Sequence, residues 1–397
     1  MLSSKLDAMD SAELLEIAAD WSFWSSPPPP SVSRRLALPA ELRPDLALVI
    51  QGVRRCGKST LLAQLMDRYG LDRRRCLFVN FEDPRLAGHL DHRTVETLAR
   101  AFEDRIDGEV TLLLDEIQSV DGWQKWLRSC LDRPGRRRFV VTGSNAHLLS
   151  GELASSLTGR HSIVELFPFD FPEFLLARPG ASVADWFHEG GFPAPLGRPD
   201  GDRMLRAYFN DIVERDVRER VGARSSLPLR RLVQAVYESA GSETSVRRIA
   251  AAIGLAPDTA SLYLEAAESA YLVLSCPFFA WSERKRASRN RKYYPVDTGL
   301  RRVSVTRTGA DRGKALECAT FLELRRRYGE VFYWRERGEV DFVILREGEP
   351  LPVQVSWDGP AERHHKALDA FYEAHPRAKE AIFVTARSWE EGLVELP

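Results

Sequence analysis

Two kinds of hydrophobic pattern alternate along the first half of the chain. Short, wholly apolar runs such as Leu46–Ile50, Val110–Leu114 and Phe139–Val141 are separated by stretches whose apolar residues recur every three or four positions. Apolar runs of this length predict strands buried on both faces, and the longer periodic stretches predict amphipathic helices. Up to about residue 175 the alternation predicts a three-layer α/β sandwich around a parallel sheet. Ahead of it, residues 10–24 show a helical pattern ending in Trp21-Ser-Phe-Trp24. Pro27–Pro30 then forbids helix and favours an extended, stiff linker. Beyond Leu166–Leu175 the pattern becomes mostly helical, with Gly190-Gly-Phe-Pro193 as a turn and residues 203–217 as one helix. Residues 245–253, 254–257 and 258–267 then predict helix, glycine-bearing turn and helix, with Ser245 and Asp258 as caps.

Polar residues interrupt the first-half pattern where the strands should end. After Ile50 comes Gly52-Val-Arg-Arg55-Cys-Gly57-Lys58-Ser59-Thr60, which fills every position of the phosphate-loop pattern GxxxxGK[ST] between a strand and a helix. Gly52 and Gly57 let the backbone wrap an anion, Lys58 can reach the β- and γ-phosphates, and Ser59 is placed to ligand Mg²⁺. The strand at Val110–Leu114 ends in Asp115-Glu116. That is the form of a segment whose first acid holds Mg²⁺ and whose second polarises the attacking water. A third strand runs into Gly143-Ser144-Asn145, where Asn145, with Ser144 as rival, is the expected sensor of the γ-phosphate. Arg160, after Ser155–Gly159, is a candidate for the arginine that meets transition-state charge, in cis or from a neighbouring subunit.

The segments GVRRCGKSTLL, FVNFEDPRL, TLLLDEIQSVDGWQKWLRSCLD, VVTGSNAHLLSGELASSLTGR and LFPFDFPEFL together resemble the AAA+ P-loop ATPases common in archaea and bacteria. In that group an N-terminal ATPase domain is fused to an uncharacterised C-terminal domain. The resemblance covers about residues 30 to 360. It implies an ATP-hydrolysing enzyme with ATP and Mg²⁺ as cofactors, forming homo-oligomers, for which DNA transactions have been the main proposal. Asp83 and Arg85 match the group's pattern and follow a second buried strand near the expected nucleotide.

The C-terminal half adds two further expectations. Tyr271–Trp281 predicts a strand of a winged helix-turn-helix, and the hairpin or wing after it carries Arg284, Lys285, Arg286, Arg289, Arg291 and Lys292. Six cations in nine residues suit a phosphate backbone, so non-sequence-specific DNA contact is expected. Farther on, Glu317 in a helical run, Asp341 in a strand and Gln354-Val-Ser356 in the next strand resemble the restriction-endonuclease-like fold. That fold's metal site uses three acids or acid equivalents and a lysine. Here an amide stands at the third ligand and a serine at the lysine position, so the site Glu317, Asp341, Gln354 is expected to be degenerate.

Composition changes little in this picture. Of 397 residues, 44% are hydrophobic and 28% charged, with a net charge of −1. No apolar run approaches a membrane span, so no membrane partner is expected. Five cysteines without a CxxC pair fit a cytoplasmic protein better than a disulfide framework or a zinc site. The expected organisation is an N-terminal helix and linker (1–30), a P-loop AAA+ domain (31–178), a helical and winged-helix-like region (179–300) and a restriction-endonuclease-like α+β domain (301–397). The expected function is an AAA+ ATPase that couples turnover to DNA binding or remodelling, branched DNA included. The alternatives are a nucleotide-switched interaction protein, of defence or regulatory type, and an ATP-gated Mg²⁺ nuclease.

Overall fold

The computed structural model describes residues 9–146, 148, 159–306 and 312–390. The chain divides into two compact units, one comprising residues 1–52 and 56–166 and the other residues 53–55 and 167–397.

The first unit is built on five parallel strands: β1 (Ala47–Gln51), β2 (Cys76–Asn80), β3 (Val110–Asp115), β4 (Arg137–Gly143) and β5 (His161–Glu165). They lie in the order β2-β3-β4-β1-β5. β1 and β3 are buried along their whole length, which is why they read as unbroken apolar runs. Helices α1 (Ser11–Trp21), α3 (His92–Glu103) and α4 (Trp123–Asp132) share one core with Val49, Val79, Leu112, Leu114 and Val141. Alternate residues Leu48, Ile50, Leu113 and Val140 point to the other face by the strand period of two, and α2 (Lys58–Arg68) packs on β3 and β4.

The N-terminal helix is part of this core and is not set apart by the proline run. Leu14, Leu15, Ile17 and Ala18 are buried in it, and Trp24 stacks on Phe102 with ring centroids 5.4 Å apart. The Trp21 indole N–H donates to Asp83 Oδ2 at 2.8 Å, and the other Asp83 oxygen accepts from the Arg85 backbone N–H at 2.9 Å. Asp83 and Arg85, expected near the nucleotide, thus serve to clamp α1 onto the end of β2.

The second unit begins with α5 (Phe171–Ala177), α6 (Val183–Glu189) and α7 (Gly201–Asp211), the last running on into a π-helical stretch over Ile212–Arg218. There follow α8 (Leu227–Glu238), β6 (Glu243–Thr244), α9 (Val246–Ile253), α10 (Pro257–Ser269), β7 (Val273–Cys276), α11 (Glu283–Ala287) and β8 (Arg291–Pro295). β8 pairs antiparallel with both β6 and β7. After α12 (Thr298–Ser304), α13 (Arg312–Tyr328) leads into β9 (Phe332–Arg335), β10 (Glu339–Arg346) and β11 (Glu349–Val355), then α14 (Glu362–Ala374) and β12 (Ile382–Val384). The sheet order is β12-β11-β10-β9, antiparallel except for the β11–β12 pair. Among the described residues no helix is long and apolar enough to cross a membrane.

Candidate functional site

The carboxyl ends of β1, β3 and β4 bring the chemistry of the first unit to one edge of its sheet, where ligands of open parallel sheets bind. The loop after β1 turns through left-handed residues at Arg55 (φ 72°) and Gly57 (φ 103°) and delivers Lys58 as the first residue of α2. Gly52 is required for a different reason: a Cβ there would lie 2.1 Å from the Leu166 carbonyl oxygen. Arg55 and Thr60 are exposed on this loop and the helix start, while Lys58 is buried.

Lys58 Nζ donates to the Gly52 carbonyl at 3.2 Å and lies 3.3 Å from Glu116 Oε1. Burial alone would lower its pKa, but the Glu116 carboxylate, with Cys56 and Asp115 behind it, more than offsets this and the net direction is upward. Ser59 Oγ donates to Asp115 Oδ2 at 2.6 Å, and Thr142 Oγ donates to the other Asp115 oxygen. Asp115 is wholly buried, and burial together with the neighbouring Glu116 charge pushes its pKa up. A hydroxyl and a carboxylate held together in this way form a hard-oxygen donor set of the kind Mg²⁺ takes, so these residues fit the ion.

Glu116 sits just past β3 in a left-handed conformation (φ 54°, ψ 46°) that a non-glycine residue seldom adopts. Its backbone N–H donates to Thr142 Oγ at 3.0 Å, which ties β3 to β4 at the site. Gln118 Nε2 donates to Glu116 Oε2 at 2.5 Å and reaches Ser144 Oγ at 3.4 Å. Neither Thr142 nor Gln118 stood out in the sequence. Thr142 is one polar residue in an apolar strand, which was its only signal, and Gln118 had none. Ser144 is buried and in this network, and Asn145 follows it half-buried.

Arg160 lies elsewhere. Its carbonyl accepts from the Ala47 N–H at the start of β1, its guanidinium donates to the Leu131 carbonyl at 2.7 Å, and it pairs with Asp132 at 2.9 Å. The phosphate loop leaves the opposite end of β1, five residues or about 16 Å away at roughly 3.3 Å per residue. Arg160 cannot reach that site from within the same chain. The preceding Ser155–Thr158 lie outside the described residues.

In the second unit the basic segment departs from expectation. The segment lies in the connection between the antiparallel strands β7 and β8 and on β8 itself: residues 283–287 form α11 and Arg291–Pro295 form β8. Lys285 and Arg289 both pair with Glu336, at 2.6 and 3.4 Å, and Arg286 pairs with Glu283 at 2.8 Å while lying over the Phe332 ring. Arg284 and Arg291 are exposed. Lys292, expected on the exposed surface, is instead only 1% exposed, because β8 turns its side chain into the protein.

The structure also brings Glu317, Asp341 and Gln354 together. Gln354 Oε1 accepts from the Asp341 N–H and its Nε2 donates to the Glu339 carbonyl, both at 2.9 Å, so the amide is spent on the β10 backbone. Asp341 Oδ2 accepts from the Val355 N–H at 2.8 Å, and burial, then the Glu317 charge, pushes its pKa up to about 7. With the Gln354 amide engaged and the Lys292 ammonium already beside Glu317 and Glu339, the residues present do not fit the divalent ion of a restriction-endonuclease-like site. Among the described residues no group of three His, Cys, Asp or Glu side chains is placed to hold a metal ion.

Residues 45–175 match the family described as AAA domain, while residues 181–311 and 312–391 match two families described as domains of unknown function, DUF8612 and DUF4143. An uncharacterised protein of Haemophilus influenzae is 31% identical over 339 residues, covering 81% of this chain and 84% of its own. An uncharacterised protein of Methanocaldococcus jannaschii is 31% identical over 362 residues, covering 84% and 80%. Among solved structures, AMPPCP-bound DnaA from Aquifex aeolicus is 16% identical over 57% of this chain and 82% of its own, with a TM-score of 0.26, too low to carry an argument.

Proposed function

Because this chain belongs to one family with those Haemophilus influenzae and Methanocaldococcus jannaschii proteins and carries an AAA domain, we propose that it is an ATP-hydrolysing AAA+ protein. In this reading it works as a homo-oligomer and couples turnover to DNA binding without sequence preference. The observation that carries the ATPase reading is the convergence of Lys58, Ser59, Asp115 and Glu116 at the carboxyl edge of one parallel sheet. The loop N–H groups and the α2 N-terminus would bind the β- and γ-phosphates, with Arg55 and Thr60 at the rim. Ser59 and Asp115 would hold Mg²⁺, which supplies charge neutralisation on the phosphoryl oxygens. Lys58 and Glu116 neutralise each other in the structure. An incoming polyphosphate competes for the ammonium and releases the Glu116 carboxylate, which then orients and polarises water, with Ser144 or Asn145 beside it.

The DNA role is supported by the order α8-β6-α9-α10-β7-β8, with β8 between β6 and β7, which is compatible with a winged helix, and by the α13-β9-β10-β11-α14-β12 order, which is compatible with a restriction-endonuclease-like core. Arg284, Lys285, Arg286, Arg289 and Arg291 are the residues that would meet phosphates. The internal pairing of three of these five with Glu336 or Glu283 favours the second reading, a nucleotide-switched protein-interaction module, because paired cations contribute less to a phosphate surface.

Two variants and one titration test the reading. Lys58→Ala is expected to abolish ATP binding, and Glu116→Gln to keep binding while stopping turnover; equal loss of affinity in both would contradict the assigned roles. Duplex or branched DNA is expected to stimulate the wild-type ATPase, with binding that weakens steeply as salt rises. A rate indifferent to every DNA form, with no salt-dependent binding, would decide for the protein-interaction reading.

A further inference from the structure

The buried Lys292 meets the acids of α13 and β10 in the second unit. Its Nζ lies 2.7 Å from Glu339 Oε1 and 3.7 Å from Glu317 Oε1. The face of Tyr333 is 5.5 Å away, and Tyr294 O–H donates to Glu317 Oε1 at 2.7 Å. The 2.7 Å contact with Glu339 is a charge-assisted hydrogen-bond distance, and Glu317 adds its charge from 3.7 Å. Glu317 comes from α13, Glu339 and Asp341 from β10, and Lys292 from β8, so three separate elements meet at one ammonium. Gly241 leaves room for the Glu317 carboxylate, since a Cβ there would lie 2.7 Å from its Oε2. Three part-buried carboxyl groups set this close repel one another unless a cation lies among them. The position such a cation must take is the one Nζ holds.

We propose that the Lys292 ammonium is the resident cation of the Glu317–Glu339–Asp341 pocket, so that this region is held together without a divalent metal and takes one up only when Lys292 is removed. The ammonium and a divalent ion are mutually exclusive there, since two cations at one position would repel, and the Gln354 amide is already engaged on the β10 backbone. The missing lysine at Ser356 is then not a simple loss. A lysine from a neighbouring sheet has entered the site, and its charge serves assembly. This inference is independent of the ATPase reading.

The test is Mn²⁺ binding to the full chain without nucleotide, counted by electron paramagnetic resonance of the free ion, with Glu317→Gln as the subtraction. Wild type and Glu317→Gln are expected to bind the same number of ions. Lys292→Gln is expected to bind one more per chain, and the double variant Lys292→Gln/Glu317→Gln to lose it again. A Glu317-dependent Mn²⁺ site in wild type would overturn the proposal, and so would a folded Lys292→Gln that gains no ion. If Lys292→Gln unfolds, refolding on addition of Mn²⁺ supports the proposal, and failure of Mn²⁺ to restore it counts against.

Discussion

Asp297 shows how a single buried carboxylate sets a pH dependence that composition would not suggest. It caps α12, accepting from the Leu300 N–H at 2.7 Å, and its second oxygen accepts from the Gly191 N–H at 2.6 Å. Burial still pushes its pKa up to about 6, because two backbone donors compensate only part of the lost hydration. For an acid raised in the folded state the neutral form is favoured by folding. Stability therefore falls as pH rises from about 4 to about 6 and is level above that, by up to roughly 3 kcal/mol for a rise of this size. Asp297→Asn carries no titrating group and should flatten that part of the curve, measured as urea midpoints at pH 4.5 and 7 for both proteins. Parallel curves for wild type and variant would show that Asp297 does not titrate in that interval. Nothing in the sequence marked Asp297, since its meaning depends on Gly191, more than a hundred positions away.

At the scale of elements, the clamp on α1 makes a prediction that the proline run alone would not. Asp83 accepts from Trp21 and from Arg85, so Asp83→Ala leaves a half-buried indole N–H without its acceptor and loosens the helix whose leucines complete the core. Loss of about 2–3 kcal/mol is expected, read as a lower denaturant midpoint with an unchanged slope. An unchanged midpoint would mean that α1 is held by its apolar face alone. The helix itself was legible, because Leu14, Leu15, Ile17 and Ala18 fall on one face, but its docking was not: periodicity reports that a face is buried and not what covers it. The same limit explains the C-terminal half. β1, β3 and the start of α2 were readable because both faces of the strands are buried and the loop spelling is specific. Ser245 caps α9 as its spacing suggested, whereas Ala256 and Pro257, not Asp258, begin α10. The basic run reads as a charged surface, yet a strand period of two sends Lys292 inward, and only the acids of α13 and β10 make that tolerable.

For the molecule as a whole, the position of Arg160 turns an open question into a statement about assembly. Lys58, Ser59, Asp115 and Glu116 gather where the strands end, and Arg160 sits where β1 and β5 begin, beside Ala47 and the last turn of α4. An arginine there can act on a γ-phosphate only if a second copy presents its own strand ends to it. Its ion pair with Asp132 costs little to break, because both partners are more than a third exposed and solvent screens the attraction. Arg160→Ala is therefore expected to leave ATP affinity unchanged and to lower turnover by ~10³-fold. Turnover should also rise more than linearly with protein concentration in wild type. Neither Lys58→Ala nor Arg160→Ala is active alone in this scheme, but a mixture restores some activity, since one copy offers an intact phosphate loop and the other an intact arginine. A mixture that demonstrably co-assembles and stays inactive would remove Arg160 from the chemistry, for a role within one chain is already closed to it by the length of β1.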